Sequence, residues 1–436
     1  MKRTKQLTIL LLVLAALCLA IVVATGVERH MDSISATSEE ILALSADELT
    51  GISWTNGETS LSFTQTDGVW QDASDGEFPI DQDKMADLLA HFESVTASFI
   101  IEDVEDFTQY GLASPTGTVT LTTADGETVL ELGDYSTMDS KRYVTLGTGT
   151  VYLIEDDPAD YLAESRDDLM RQDTIPDYDT LDSVTVEGAA NLTAEYRPDE
   201  QLTYTDAYDY YLNENGSWKA LDDSKVTGLL TTFAGLDRTN YVSYTATGDD
   251  LAQWGLDDPA IRFTVNYTAD EEPGSFVLAF GQDEDGNGHM RMDDSPIVYA
   301  VDEDSYETIT ATDYDALRPN EVLALDWDAV TGVDFTLDDT TYTLTRSGDS
   351  WKVNDTEVEF SDVQSAVDGL TVSEFNSETP AKKQEIAFTV RLDSETWPSL
   401  TAALYQYDGE SCLATLDGET LGLVDRSLVV DLTEAV

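Results

Sequence analysis

Positive charge is scarce in this sequence. Its 436 residues hold 22 Lys and Arg against 87 Asp and Glu, a formal net charge of -65 at pH 7. Nucleic-acid binding needs cations clustered over phosphates, so the composition argues against that class. An anionic lipid headgroup is disfavoured as the main partner for the same reason. Histidine is scarcer still, with only His30, His91 and His289. There is no His-x-x-x-His metal pair, no Gly-x-Ser-x-Gly elbow and no Gly-x-x-x-x-Gly-Lys-Ser/Thr loop. Metallohydrolase, α/β-hydrolase and nucleotide-hydrolysis chemistries therefore have no visible machinery, and no catalytic residue is assigned. The two cysteines, Cys18 and Cys412, cannot form a disulfide framework. Beyond residue 27 no apolar run is long enough to cross a membrane, so the chain is no channel or permease by itself.

Charge and hydropathy are abundant where they set an address. Lys2, Arg3 and Lys5 precede an apolar run from Leu7 to Val23 that extends to Val27, and every acid follows it, from Glu28 onward. As a helix, Leu7–Val27 spans about 32 Å at ~1.5 Å per residue, the thickness of a bilayer's hydrocarbon core. The positive-inside rule puts the N-terminus in the cytoplasm and the bulk of the chain outside. A cleaved signal peptide ending near Ala24-Thr25-Gly26 is the rival reading, but its apolar region is usually ~7–15 residues. We read residues 1–27 as a cytoplasmic tip and uncleaved transmembrane anchor, and residues 28–40, with Ser33, Ser35, Thr37 and Ser38, as a polar stalk.

The remainder repeats itself. Leu42-Ala43-Leu44 and Thr50-Gly51-Ile52 return as Leu323-Ala324-Leu325 and Thr331-Gly332-Val333. Ile80-Asp81, Lys84, Leu88-Leu89 and Phe92 return at one constant offset as Leu221-Asp222, Lys225, Leu229-Leu230 and Phe233. Tyr110-Gly111-Leu112 through Pro115 matches Trp254-Gly255-Leu256 through Pro259, Leu132-Gly133 matches Phe280-Gly281, and Val151-Tyr152 matches Val298-Tyr299. Each unit opens with period-two apolar alternation and a Gly turn, as at Asp67-Gly68, which predicts a β-hairpin. Asp81 then predicts a helix N-cap, and Met85, Leu88, Leu89 and Phe92 predict one apolar helix stripe. Alternation resumes around Val119-Leu121-Thr123 and through Val151–Ile154. The expected fold class is α+β: an N-terminal transmembrane helix, then three units, each an antiparallel β-meander packed with one amphipathic helix. Ile175-Pro176-Asp177 and Arg318-Pro319-Asn320 mark the joins, giving units over 41–173, 174–318 and a divergent 319–436.

One segment has metal-ligand spacing. Asp283, Asp285 and Asn287 stand at loop positions one, three and five, Gly288 at six, and Asp294 at twelve. This is the pattern of a Ca²⁺ loop with Asp in place of the bidentate Glu, although strands are expected on its flanks. A Gly-rich hairpin loop is the plainer account. Trp70, Trp218 and Trp351 recur after the Gly turn of each unit, which fits a hairpin core better than a glycan-stacking platform. Tyr204, Tyr208, Tyr210 and Tyr211 lie in an insertion of the middle unit and suit either an exposed contact surface or cross-strand pairs.

The order of these residues resembles the bacterial domain of unknown function 4340 family. Gly68-Val69-Trp70, Phe78-Pro79-Ile80-Asp81, Tyr110-Gly111-Leu112 through Pro115, Leu132-Gly133 and Val151-Tyr152 carry the resemblance. It covers residues 42–155 best and 181–310 in part, and the third unit departs from it. The resemblance implies an N-terminal membrane anchor and a place beside ABC-type transporters of the gliding-motility kind and their extracytoplasmic accessory subunits. It implies no catalytic residues and no resident cofactor. The leading expectation is an extracytoplasmic accessory protein on the cell membrane, partnered by an ABC permease or accessory subunit. A surface module for cell-wall glycan, peptide or cations is the alternative, and an envelope hydrolase has the least support.

Overall fold

The computed structural model describes residues 34–436 except 189, 338, 339 and 349, with side chains from residue 39 onward. The expected anchor Leu7–Val27, Cys18 and His30 lie outside the described residues. Among those described, no helix is long and apolar enough to cross a membrane.

Strands dominate. The first sheet contains β1 (Ile34–Ala43), β2 (Leu49–Asn56), β3 (Thr59–Thr66), β4 (Val69–Asp72), β5 (Ser94–Ile101), β6 (Gly117–Thr123), β7 (Gly126–Ser136), β8 (Lys141–Thr145) and β9 (Val151–Ile154). Their order across the sheet is β1-β5-β9-β8-β7-β6-β2-β3-β4. The second contains β10 (Thr180–Gly188), β11 (Leu192–Tyr196), β12 (Tyr210–Glu214), β13 (Ser217–Leu221), β14 (Tyr241–Ser243), β15 (Ile261–Ala269), β16 (Glu272–Gln282), β17 (Gly288–Met292) and β18 (Val298–Val301), ordered β13-β12-β11-β10-β15-β16-β17-β18-β14. The third contains β19 (Val330–Leu337), β20 (Thr340–Ser347), β21 (Ser350–Val353), β22 (Thr356–Val358), β23 (Val372–Phe375), β24 (Gln384–Leu392), β25 (Ser399–Gln406), β26 (Ser411–Leu416) and β27 (Glu419–Asp425), ordered β22-β21-β20-β19-β24-β25-β26-β27-β23.

The expected α+β class thus gives way to a mostly β one of three nine-stranded antiparallel sheets. The helices are few and short: α1 (Gln82–Ala90), α2 (Asp223–Ala234), α3 (Glu303–Thr310), α4 (Tyr314–Leu317), α5 (Ser361–Asp368) and α6 (Arg426–Ala435). Sheets two and three share one strand order. Sheet one lacks the outermost hairpin strand that β13 and β22 supply and carries β1 at its opposite edge. Residues 34–40, expected in the stalk, are therefore strand, paired antiparallel with β5.

Local chemistry explains the elements. Asp67 and Gly68 both take positive φ (52° and 81°), as do Asn215 and Gly216 (55° and 90°), the signature of the two-residue turn whose twist matches a hairpin. Asp81 accepts from the N–H groups of Asp83 and Lys84, and Asp222 accepts from those of Ser224 and Lys225, so both expected N-caps form. Met85, Leu88, Leu89 and Phe92 are buried beneath the first sheet's helix, and Val226, Leu230 and Phe233 beneath the second's. Phe233, Phe263 and Phe280 form one aromatic cluster, with the Phe233 and Phe263 centroids 4.8 Å apart. In the third sheet Val363 and Val367 of α5 join Val429 and Leu432 of α6 in the core around Phe335 and Phe388. The chain divides between Gln172 and Asp173 into two compact units, and the second unit holds sheets two and three.

Candidate functional site

The helix that follows the outer hairpin positions a repeated fastening. Lys84 donates from Nζ to the carbonyls of Asp168 (3.0 Å) and Met170 (3.3 Å), and the Asp81 N–H donates to the Leu169 carbonyl. Lys225 donates to the Arg318 carbonyl (2.8 Å) and to Asn320 Oδ1 (2.5 Å), and the Asp222 N–H donates to the Leu317 carbonyl. In both sheets a lysine one turn inside the helix pins the segment by which the chain leaves that sheet. Two of the few cations are thus held by amide oxygens, three of the four from the backbone. Others are matched locally: Arg142 with Asp157 (2.5 Å), Arg197 with Glu195 (2.5 Å) and Glu200 (3.0 Å), and Arg426 with Glu385 (2.9 Å).

The calcium pattern is only partly assembled. Asp283, Asp285 and Asn287 share the β16–β17 turn, whereas Asp294 lies past the far end of β17, exposed and 3.8 Å from Arg291. Asp283 already accepts from the N–H of Asp285 (3.0 Å), the N–H of Asn287 (2.8 Å), Asn287 Nδ2 (2.9 Å) and His289 Nε2 (3.1 Å). These bonds, those of Asn287 foremost, hold its carboxyl well below the usual carboxylate range. The four residues do not converge on one point, and among the described residues no group of three or more His, Cys, Asp or Glu is placed to hold a metal ion.

The other singled-out residues serve packing. His289 is buried in β17, and His91 closes α1 with its ring stacked on Tyr161 (centroids 3.4 Å apart). Cys412 is buried in β26, and burial, with Glu385 beside it, pushes its thiol up to about 12, so it is not a poised nucleophile. Trp70 is buried on β4 and Trp351 stacks on Phe360 at 4.0 Å. Trp218 corrects the expectation of one shared position. It lies on β13, one strand further out than β4 and β21, with the Arg197 guanidinium 5.7 Å above its ring. It follows the β12–β13 turn, whereas Trp70 and Trp351 follow the turns that lead into β4 and β21.

Sequence reading missed the outer faces of the sheets. Ser53 of β2 lies opposite Ser62 and Thr120, and Thr55 lies opposite Ser60 and Thr118. Threonine hydroxyls meet across strands in all three sheets: Thr55 with Thr118 (2.8 Å), Thr185 with Thr193 (3.1 Å), and Thr389 with Thr401 (3.0 Å). The signal was present as Thr or Ser at alternate positions of Thr59–Thr66, Gly117–Thr123 and Thr340–Ser347. β-Branched threonine suits a strand and keeps its polar end in water. On the second sheet this face borders an open groove of about 470 Å³ lined by Asp182, Glu195, Arg197, Asp199 and Glu200.

The motif residues meet in space. Gly111 and Gly255 end short 3-10 turns with φ of 70° and 65°, as the aromatic-Gly-Leu motif requires. A strand of the same sheet passes against each turn at Gly133 or Gly281, where an added Cβ would fall 2.2 Å from the carbonyl of Tyr110 or Gly255. A family model, Domain of unknown function (DUF4340), matches the chain twice, over residues 70–242 and 211–389. The chain belongs to this family. The two DUF4340 matches start at 70 and 211, offset by the same interval that separates Asp81 from Asp222. Each begins in the outer hairpin of one sheet and runs into the next, so the matched unit crosses the sheet boundaries. No curated protein matches the chain.

Proposed function

We propose that this chain is a membrane-anchored extracytoplasmic accessory protein of an ABC-type transport or envelope system, acting by protein contacts and not by catalysis. The observation that carries the reading is the hydroxyl-bearing outer face, with threonine pairs across strands, repeated on three sheets. Such a face offers many hydrogen-bonding groups of low side-chain entropy, which suits a polar, non-obligate protein interface. The apolar run Leu7–Val27 supports placement at the cell membrane, single-pass with the N-terminus inside, and the family resemblance supports a transporter partner.

Cross-linking of the full chain in intact membranes, followed by solubilisation and mass spectrometry, tests this. The expected product joins sheet-face residues to a permease or its accessory subunit. Recovery of the chain only as an uncross-linked monomer overturns the proposal. A second reading, binding of a cationic peptide or cell-wall group, draws on the acid-lined groove around Arg197. It predicts binding to cell-wall fractions that weakens as salt screens the carboxylates.

A further inference from the structure

The excursion between β11 and β12 has no counterpart in the other sheets. There the same connection is two residues, Asp67 and Gly68 in the first and residues 348–349 in the third, whereas here it runs from 197 to 209. It is a built loop. The Arg197 N–H donates to the Asp209 carbonyl (2.7 Å), the Tyr211 hydroxyl donates to the Tyr208 carbonyl (2.6 Å), and Thr205 is buried. Its two tyrosines reach the third sheet. Tyr204 packs on that sheet's core and its hydroxyl accepts from the Ala324 N–H (3.3 Å), while the Tyr208 hydroxyl donates to Glu321 (3.0 Å).

The link between the two sheets is also held by the third sheet. Arg318 donates from Nη2 to the Leu421 carbonyl (3.0 Å) and lies 3.7 Å from the Phe375 ring centroid. Asn320 exchanges bonds with Val372: its Nδ2 donates to the Val372 carbonyl, and its own carbonyl accepts from the Val372 N–H, both at 2.7 Å. Lys225 of α2 holds the Arg318 carbonyl and Asn320 Oδ1 together.

We infer that residues 197–209 are a clasp that joins the second and third sheets into a single cooperative unfolding unit. Residues of both sheets hold the same short link, so neither sheet can turn or open against the other without breaking these contacts together. Stability shared in this way makes one cooperative unit of two modules that could each melt alone.

Pulsed hydrogen exchange with mass spectrometry, run on the full chain along a urea series, reads the inference. Peptides from β10–β18 and β19–β27 are expected to lose protection at one urea concentration. In the variant Tyr204→Ala/Tyr208→Phe they are expected to separate into two steps, each with a smaller m-value because each exposes less surface. A midpoint that falls while the two sheets still coincide and m is unchanged overturns the inference, since the tyrosines then only stabilise. Separate steps in the native chain overturn it too. Should that variant not fold, Tyr204→Phe/Tyr208→Phe keeps the rings, removes only the bonds to Ala324 and Glu321, and is read the same way: separation supports the clasp and coincidence refutes it.

Discussion

Gly281 lies so close to Gly255 that a methyl in place of its hydrogen would fall 2.2 Å from the Gly255 carbonyl oxygen. The φ of Gly281 is ordinary, so the constraint is space and not conformation. Gly281→Ala must push the strand off the turn, and we expect a loss of about 1–3 kcal/mol, the usual range for overpacking. Gly228, inside α2 with nothing within 4 Å of its added Cβ, is the opposite case. Gly228→Ala should gain about 0.5–1 kcal/mol from helix propensity. Urea midpoints of the two variants should move in opposite directions.

Lys225 contributes through one bond to a backbone carbonyl and one to a side-chain amide oxygen in a half-buried setting. Lys225→Met keeps the apolar stem and removes both bonds, leaving the Arg318 carbonyl without this donor. A loss of about 1–2 kcal/mol is expected, discounted for partial exposure. Lys84→Met should cost less, because its bonds are longer at 3.0 and 3.3 Å. Thermal melts of the pair check the ranking.

The β4 edge of the first sheet is closed by one side chain. Gln82 accepts from the Trp70 N–H (2.9 Å) and donates to the Trp70 carbonyl (3.1 Å), imitating a neighbouring strand. Gln82→Leu leaves both groups open, and exposed edges invite pairing with another chain. Sedimentation should then show association that grows with concentration, absent from the parent chain.

The Asp283 turn should depend on pH with a definite sign. Folding favours the ionised carboxylate, since its donors hold the carboxyl below the usual range. Its contribution is complete above about pH 4, the ordinary carboxylate value, and is lost as pH falls below it. Amide exchange at Asn287 should rise there relative to neighbouring strands. Asp283→Asn should flatten the dependence.

The outer face is testable by charge. Thr55→Arg with Thr120→Arg places two cations among the hydroxyls of the first sheet's outer face and should leave the melting temperature within a few degrees of the parent. Cross-links to a membrane partner should fall several-fold. Undiminished cross-linking would move the interface elsewhere.

Much of the architecture was legible because it rests on local rules. The Asp67-Gly68 turn, the Asp81 and Asp222 caps and the Met85–Phe92 stripe follow from backbone preference and periodicity, which neighbours in sequence fix. The three-fold repeat was legible for the same reason. The balance of the fold was not. A stripe-bearing helix of nine residues draws attention in a sequence, yet nine strands per sheet outweigh it. Residues 34–40 resemble a stalk in sequence, because their polar residues form a strand only when β5 offers its edge.

The candidate site divides along the same line. Spacing put Asp283, Asp285, Asn287 and Asp294 into one loop pattern, but β17 intervenes and carries Asp294 away. Trp218 looked equivalent to Trp70 because both follow a Gly turn, and only strand order shows it one place further out. Tyr204 and Tyr208 could have faced solvent or each other, and they reach a neighbouring sheet.

By itself the sequence determined charge, repetition, turn and cap chemistry and the glycine motif, all properties of residues near one another along the chain. The tertiary structure decided which strands pair, which polar faces stay wet and what the motif glycines touch. The reason is physical: pairing and close approach are set by contacts between segments far apart in sequence, and no local preference encodes the partner.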